Sequence, residues 1–221
     1  MFKAFVFDFE GTIVDFQWRL KEGERELREK LRELGFDLTV FSQDNYAQMW
    51  NRALGMASGE RAEEIKRELI PIYDRYDEDA LERWSLKDGV KELLSLLRER
   101  GKRIGLVTNV GRRAVEGALG RFGVRDLFDE VVTRNDTTFM KPRGEGIRRC
   151  LSALGVGREE AIFIGDSLSD LYAARDAGVK VAIVKGGESS PQEIMKSPPD
   201  YLWDSLDEVL KILKDQSTSC G

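Results

Sequence analysis

The sequence contains no histidine among its 221 residues. This absence excludes Ser-His-Asp hydrolysis, phosphohistidine transfer and any zinc site that needs an imidazole ligand. Any reaction of this chain must therefore depend on Asp, Glu, Lys, Ser or Thr side chains, or on a metal ion held by oxygen atoms.

Cysteine is scarce, with only Cys150 and Cys220 present. Cys150 lies in a helix-forming segment and is predicted to be a small core residue, whereas Cys220 lies in a polar tail. This separation disfavours a structural disulfide.

Long apolar runs and an excess of positive charge are also missing. The apolar runs are of strand length, well short of the roughly 18 residues that a membrane span requires. Lys and Arg number 35 against 40 Asp and Glu, which gives a net charge of −5. This balance disfavours nucleic acid and anionic membranes as partners. Because the N-terminus runs straight into a strand pattern and has no signal-peptide layout, we expect a cytoplasmic protein. Its oligomeric state, monomer or homodimer, does not follow from the sequence.

What the sequence does contain is an alternation of strand and helix patterns. Apolar strand-like segments are separated by amphipathic helices of about ten residues, which is typical of βαβ units with a parallel sheet. We therefore predict an α/β fold with a Rossmann-like, doubly wound parallel sheet. The predicted strands are 3–9, 103–108, 130–133, 161–166 and 180–184, with a short edge strand at 200–203.

The alternation is interrupted once, between residues 16 and 85. Leu20, Leu27 and Leu31 mark one helical face in this stretch, and helical patterns recur at 44–54, 60–72 and 78–84. About four helices inserted after the first strand explain this pattern most simply. We expect a helical cap domain at 16–85 and an α/β core domain at 1–15 and 86–221.

Polar side chains lie at or just beyond the predicted strand ends. Each alone could be a helix cap or a solvated surface group. The carboxyl ends of parallel strands share one sheet edge, however, so the whole set should converge. Three converging aspartates would repel one another without a cation, and Mg²⁺ suits oxygen ligands. A lysine and a threonine hydroxyl beside them could hold a phosphate, which indicates phosphoryl transfer to an aspartate. The residues are Asp8, Glu10, Thr108, Asn109, Lys141, Asp166 and Asp170.

At these positions the chain resembles the haloacid dehalogenase superfamily, whose four motifs occur here in order. The inserted helices are similar to the cap of its phosphoglycolate-phosphatase-like branch. The matching segments are Asp8-Phe9-Glu10-Gly11-Thr12, Thr108-Asn109, Lys141-Pro142 and Gly165 through Asp170.

The resemblance implies a role for each residue. Asp8 would be the nucleophile that forms an aspartyl-phosphate, and Lys141 would hold both Asp8 and the phosphate. Thr108 would bind the phosphoryl group, with Asn109 beside it as a second substrate contact.

The resemblance also implies a magnesium site. Asp8, Asp166 and the backbone carbonyl of Glu10 would bind Mg²⁺ directly, and Asp170 would orient a water molecule there. The expected activity is Mg²⁺-dependent hydrolysis of a small phosphorylated metabolite.

Glu10 departs from the family pattern, in which an aspartate acts as general acid and base at this position. The extra methylene moves the carboxyl group by about 1.5 Å, and misplacement near 1 Å can cost roughly 10²-fold in rate. From sequence alone, Glu10→Asp should leave activity equal or raise it.

Three alternatives remain open. One is a catalytically impaired binding or regulatory protein, and a second is a phosphomutase. A 2-haloacid dehalogenase is disfavoured by the ionisable Glu10 and by the Asp166/Asp170 pair. Gln17, Trp18 and Arg19 could reach the substrate, although packing within the inserted helices is the favoured role for them.

Overall fold

A six-stranded parallel sheet forms the centre of the α/β part of the protein, with strand order β3-β2-β1-β4-β5-β6. The structure, a computed structural model, describes residues 2–218 except for the side chains of 212 and 215–218. In register, Phe7 of β1 pairs with Leu106 of β2 and with Ile164 of β4. The predicted α/β fold is confirmed. The strands are β1 Ala4–Phe7, β2 Arg103–Val107, β3 Glu130–Val132, β4 Ala161–Gly165, β5 Lys180–Val184 and β6 Tyr201–Trp203.

Helices cover both faces of the sheet, because alternate strand residues point to opposite sides. Phe5 and Phe7 pack against one set of helices, and Val6 packs against the other. The first set is α4 Val90–Glu99, α5 Arg112–Phe122 and α9 Leu206–Thr218; the second is α6 Glu145–Leu154, α7 Leu168–Ala177 and α8 Pro191–Met195.

Cys150 is fully buried in the second of these clusters, as expected for a small core residue. Cys220 lies outside the described residues. Within residues 2–218, no helix is both long enough and apolar enough to cross a membrane.

Three central strands end earlier than the sequence predicts. β1 stops at Phe7, β2 at Val107 and β4 at Gly165. Asp8, Thr108 and Asp166 are therefore each the first residue beyond a strand. Because β2, β1 and β4 are neighbours, these three side chains meet at one sheet edge.

The helical insertion follows β1 and has its own apolar core. It consists of α1 Leu20–Glu33, a 3-10 turn at Leu38–Phe41, α2 Tyr46–Gly55 and α3 Gly59–Leu81. Leu27, Leu31, Trp50, Leu69 and Tyr73 are buried together between these helices.

The expected four-helix insertion is wrong, because the segments 60–72 and 78–84 do not form separate helices. Residues 60–72 and 78–81 belong to a single 23-residue helix, α3, which contains Pro71 in its interior, and residues 82–84 lie beyond its end. Beyond the proline, Tyr73, Asp77 and Ala80 continue the buried stripe at helical spacing. Burial of that stripe outweighs the backbone hydrogen bond lost at the proline.

The insertion is docked against a loop of the α/β part. Trp50 Nε1 donates to the Thr138 carbonyl at 2.9 Å. The Asn51 amide bonds the Met140 backbone in both directions, at 2.8 and 2.9 Å, and the Met140 side chain packs in the core of the insertion. This contact fixes the backbone immediately before Lys141.

We propose residues 16–85 as a separate cap domain. The two connections run side by side, since Val14 bridges Leu86 and the Asp15 amide donates to the Ser85 carbonyl at 3.1 Å. These two adjacent backbone segments would form the hinge about which the cap domain moves.

Candidate active site

Lys141 lies between two aspartates at the sheet edge. Its Nζ is 2.5 Å from Asp8 Oδ1 and 2.6 Å from Asp170 Oδ1. All three side chains are buried. Burial lowers the pKa of Lys141, but the charges of Asp170 and Asp8 outweigh it and raise the pKa above its ordinary value. The lysine therefore stays charged and holds the Asp8 carboxylate in place.

Asp166 completes a cluster with Asp8 and Asp170, in which one carboxylate oxygen from each lies within 4.8 Å of the others. Thr12 Oγ1 donates to Asp166 Oδ1 at 3.2 Å, and the Glu188 amide donates to Asp166 Oδ2 at 2.6 Å. These bonds orient Asp166 toward the cluster.

Asp170 is held at the start of α7. Its Oδ2 accepts from the amides of Asp166 and Ser167 at 3.1 Å and from Ser167 Oγ at 2.7 Å. A reciprocal bond runs from the Asp170 amide to Ser167 Oγ. This capping box leaves Oδ1 for Lys141 and the cluster.

The cluster has more negative charge than its own cation can balance. Burial raises the pKa of Asp8 well above its usual value, and the charges of Asp170 and Asp166 add to this effect while Lys141 opposes it. Burial and Asp170 likewise raise the pKa of Asp166 to about 6. Three buried, mutually repelling carboxylates suit a bound metal ion.

The Glu10 carboxyl group lies apart from this cluster and is bonded elsewhere. Its Oε1 accepts from Trp84 Nε1 at 2.7 Å and from the Gln17 amide at 3.3 Å. Burial raises the pKa of Glu10 to about 8, and the Trp84 bond opposes that rise only in part. A carboxyl group that keeps its proton near neutral pH can serve as a general acid.

Thr108 and Asn109 differ in what their side chains are free to do. Thr108 Oγ1 accepts from the Val110 amide at 3.1 Å and keeps its own hydroxyl proton for a further partner. The Asn109 side chain instead bonds the Lys141 backbone twice, from the Lys141 amide at 2.8 Å and to its carbonyl at 3.3 Å. Asn109 therefore holds the Lys141 loop, and its predicted substrate contact stays a prediction.

The side chains surround a cavity beneath the helical insertion. Its free space is about 20 Å³, which is room for about one water molecule. The insertion thus covers the site. The lining residues are Asp8, Glu10, Phe16, Tyr46, Thr108, Asn109, Val110, Lys141, Ser167, Ser169 and Glu188.

Several of these residues were missed by the sequence analysis. Glu188 follows β5, and Ser167 and Ser169 follow β4, so the rule that found Asp166 could have found them too. Tyr46 begins α2 of the insertion, where no local pattern distinguishes it from a core aromatic.

Gln17, Trp18 and Arg19, which follow the first connection, do not line the cavity. Trp18 Nε1 donates to Asp77 at 3.0 Å, Arg19 pairs with Asp79 at 3.0 Å, and Gln17 Nε2 donates to Asp15. These three side chains pack and cross-link the insertion, which was the favoured expectation.

Comparison with known proteins decides the family. Residues 5–184 match the model of the haloacid dehalogenase-like hydrolases. The chain belongs to this family. The resemblance drawn from the four motifs is thereby confirmed, as is the expectation of a hydrolase.

The chain is similar to a curated relative over nearly its whole length. A provisionally assigned pyrophosphatase PpaX of Caldanaerobacter subterraneus subsp. tengcongensis is 29% identical over 212 residues, or 96% of this chain and 94% of that protein.

Two solved structures share its fold. One is a predicted phosphoglycolate phosphatase of Haemophilus somnus, with a TM-score of 0.65, 24% identity and coverage of 96% and 97% of the two chains. The other is a CbbY variant of Rhodobacter sphaeroides in complex with xylulose-1,5-bisphosphate, with a TM-score of 0.61, 24% identity and coverage of 93% and 95%.

Proposed function

We propose that this protein is a Mg²⁺-dependent phosphatase that hydrolyses a small phosphorylated metabolite through an aspartyl-phosphate. The observation that carries the proposal is the contact of Lys141 Nζ with Asp8 Oδ1 at 2.5 Å, beside the Asp166 and Asp170 carboxylates. An immobilised carboxyl group that a neighbouring lysine helps to keep ionised is suited to attack phosphorus.

In the first step an Asp8 oxygen forms a bond to phosphorus, and the bond from phosphorus to the leaving oxygen breaks. Glu10 gives its proton to that oxygen, so an alcohol departs and Asp8 carries the phosphoryl group. Lys141 and the Thr108 hydroxyl contact the phosphoryl oxygens and offset their charge.

In the second step a water molecule attacks the phosphorus of phospho-Asp8. Glu10, now ionised, accepts the water's proton, and the bond from phosphorus to Asp8 breaks. Inorganic phosphate leaves, and both carboxyl groups return to their starting states.

The donor set fits Mg²⁺, since it consists only of buried oxygen ligands. Asp8 and Asp166, with the backbone carbonyl of Glu10, would bind the ion. Asp170 would orient a water molecule at this site. When bound, Mg²⁺ would neutralise the charge between these carboxylates and the phosphate.

The small cavity supports a small substrate. Because its free space is about 20 Å³, the insertion must move for a substrate to enter and must close again around it. The similar proteins carry names of a pyrophosphatase and a phosphoglycolate phosphatase, and one holds a sugar bisphosphate. These names support a phosphate-bearing substrate.

Nothing in the site favours a degenerate binding protein. Each group needed for transfer is in place, from Asp8 and Lys141 to the Asp166/Asp170 pair. A dehalogenase would have no use for a carboxylate cluster of this kind.

Hydrolysis of p-nitrophenyl phosphate tests the proposal. We expect activity with Mg²⁺, its loss in EDTA, and a fall of at least about 10³-fold in kcat for Asp8→Asn, because that variant lacks the nucleophile. Asp126→Asn, at an exposed position in a surface turn, is the matched control and should retain full activity. Equal activity of the two variants would contradict the proposal.

A further inference from the structure

We infer that the alcohol released by this enzyme carries no negative charge and is rich in hydroxyl groups, as in a monophosphate of a polyol or sugar. The inference rests on the proposed phosphatase function and names its substrate class. It depends on which groups the cavity offers to the part of the substrate beyond the phosphate.

The first observation is the charge of the cavity wall. Among the described residues that line it, Lys141 is the only cation, and its Nζ is already shared between Asp8 and Asp170. Outside the metal-binding cluster the wall has two more carboxyl groups, Glu10 within the cavity and Glu188 at its solvent-exposed mouth. A carboxylate or second phosphate on the substrate would have no cation of its own there.

Nearby cations cannot supply the missing charge, because each is bonded to other groups. Arg134 is 2% exposed and donates to Asp77 at 2.8 Å and to the Asn109 carbonyl at 3.1 Å. Arg83 donates to the Gln17 carbonyl at 2.7 Å, and Lys87 donates to the Gly11 carbonyl.

The second observation is a hydroxyl group without a partner. Ser169 Oγ, in the first turn of α7, is a buried atom of the cavity lining with no hydrogen-bond partner in the structure. Buried polar atoms of this kind are nearly always paired. A hydroxyl group of the substrate would pair with it without bringing charge into the site.

The third observation is the aromatic side of the cavity. Tyr46 and Phe16 line it from the insertion, and the Tyr46 ring lies 4.9 Å from the ring of Trp18. Aromatic rings with a polar tip can cover the C–H face of a hydroxylated carbon chain while the tip bonds its hydroxyls. Apolar rings beside hydroxyl groups suit a neutral polyol better than an anion.

The inference separates this chain from the printed names of its relatives. Pyrophosphate hydrolysis releases a charged phosphate, and phosphoglycolate hydrolysis releases a carboxylate. Neither product would meet a free cation in the cavity, so we expect both substrates to be poor ones here.

Three two-carbon phosphates that differ only at the far end provide the test. The substrates are 2-hydroxyethyl phosphate, phosphoglycolate and phosphoethanolamine, which end in a hydroxyl, a carboxylate and an ammonium group. We expect kcat/KM for 2-hydroxyethyl phosphate to exceed that for phosphoglycolate by at least about tenfold, and phosphoethanolamine, whose ammonium group would meet carboxyl groups, to exceed phosphoglycolate as well. Assays contain saturating Mg²⁺ and the full chain.

Two variants show whether the cavity wall causes the preference. Glu188→Lys replaces the carboxylate at the mouth with a cation and should move the ratio of the two rates toward phosphoglycolate by about tenfold. Glu60→Lys makes the same charge change at an exposed position at the start of α3 and should leave the ratio unchanged. Ser169→Ala should lower kcat/KM for 2-hydroxyethyl phosphate by about threefold to tenfold, and by more than it lowers kcat/KM for phosphoglycolate.

The outcomes distinguish this inference from the proposed function. If p-nitrophenyl phosphate is hydrolysed and phosphoglycolate equals or exceeds 2-hydroxyethyl phosphate or phosphoethanolamine, the inference is wrong and the phosphatase proposal stands. An equal shift in Glu60→Lys would also overturn it. If no phosphate ester, p-nitrophenyl phosphate included, is hydrolysed, the proposed function fails and the inference fails with it.

Discussion

The two walls of the cavity are built in different ways. The wall from the α/β part is charged and consists of strand-end residues such as Asp8 and Thr108, together with Lys141 from the loop between β3 and α6. The wall from the insertion is aromatic and consists of Phe16 and Tyr46. We propose a division of labour, in which the sheet edge holds the phosphate chemistry and the insertion shapes the space for the rest of the substrate.

The insertion and the α/β part are also joined by ion pairs, and these pairs differ greatly in burial. Arg134, beyond β3, contacts Asp77 of α3 at 2.8 Å, and both side chains are almost wholly buried. Arg113 of α5 contacts Glu78 of α3 at 2.9 Å, but Arg113 is 87% exposed. The buried pair also bonds the Gly111 amide and the Asn109 carbonyl beside the active site.

The largest effect on stability is expected from Arg134→Met. It leaves the Asp77 carboxylate buried without its cation, and we expect a loss of about 3 kcal/mol in the free energy of unfolding. Urea unfolding at fixed pH measures this quantity. Arg113→Met removes an exposed ion pair between the same two parts. It should lower the free energy of unfolding by less than about 1 kcal/mol. Equal losses would show that docking of the insertion does not depend on the buried pair.

Sequence reasoning could find the charged wall because its signal is local. An apolar run followed by Asp8, Thr108 or Asp166 shows where a strand ends, and parallel topology brings such ends together. Lys141 needed the family motif as well, since no strand directly precedes it.

The aromatic wall and the Glu10 environment could not be predicted in this way. Tyr46 starts α2, whose other aromatic residue, Trp50, is a core residue. Trp84 lies 74 positions along the chain from Glu10, to which it donates a hydrogen bond. Contacts of this kind depend on tertiary docking. The length of α3 was mispredicted for a related reason, because burial of its stripe overrides the local effect of Pro71.

Glu10 lies on the wall from the α/β part, but its carboxyl group bonds residues on the insertion side. Its titration therefore reports on the contact between the two parts. The folded chain retains the Glu10 proton up to about pH 8, whereas the unfolded chain releases it near its ordinary pKa of 4.5. Between these values the unfolded state binds fewer protons, so stability falls as pH rises, by up to about 1.4 kcal/mol per pH unit from this group.

Glu10→Gln should therefore flatten the pH dependence. In EDTA, its free energy of unfolding should fall less steeply than that of the parent from pH 5 to pH 7, by about 2 kcal/mol in total. Denaturant curves at each pH give the comparison, with Glu60→Gln as an exposed control expected to follow the parent. Parallel curves for Glu10→Gln and the parent would show that the buried carboxyl group does not hold its proton.

The smallest effect concerns the bond between the two sides, from Trp84 Nε1 to Glu10 Oε1 at 2.7 Å. Sequence alone favours equal or raised activity for Glu10→Asp, but the structure favours a loss, because the shorter side chain cannot keep this bond and reach the leaving group. We expect Glu10→Asp and Trp84→Phe each to lower kcat by about tenfold.

A double-mutant cycle tests whether the two residues act together. If Trp84 acts by positioning Glu10, the double variant should be no slower than the slower single variant, since the second change removes a bond already lost. Trp203→Phe, at a tryptophan of the edge strand β6, is the control and should keep the parent's kcat. Higher kcat in Glu10→Asp would mean that glutamate is a poor fit which Trp84 merely tolerates. An equal loss of kcat in Glu10→Asp and Trp84→Phe would mean that the site requires the length of a glutamate. The insertion side would then set the position of the Glu10 carboxyl group.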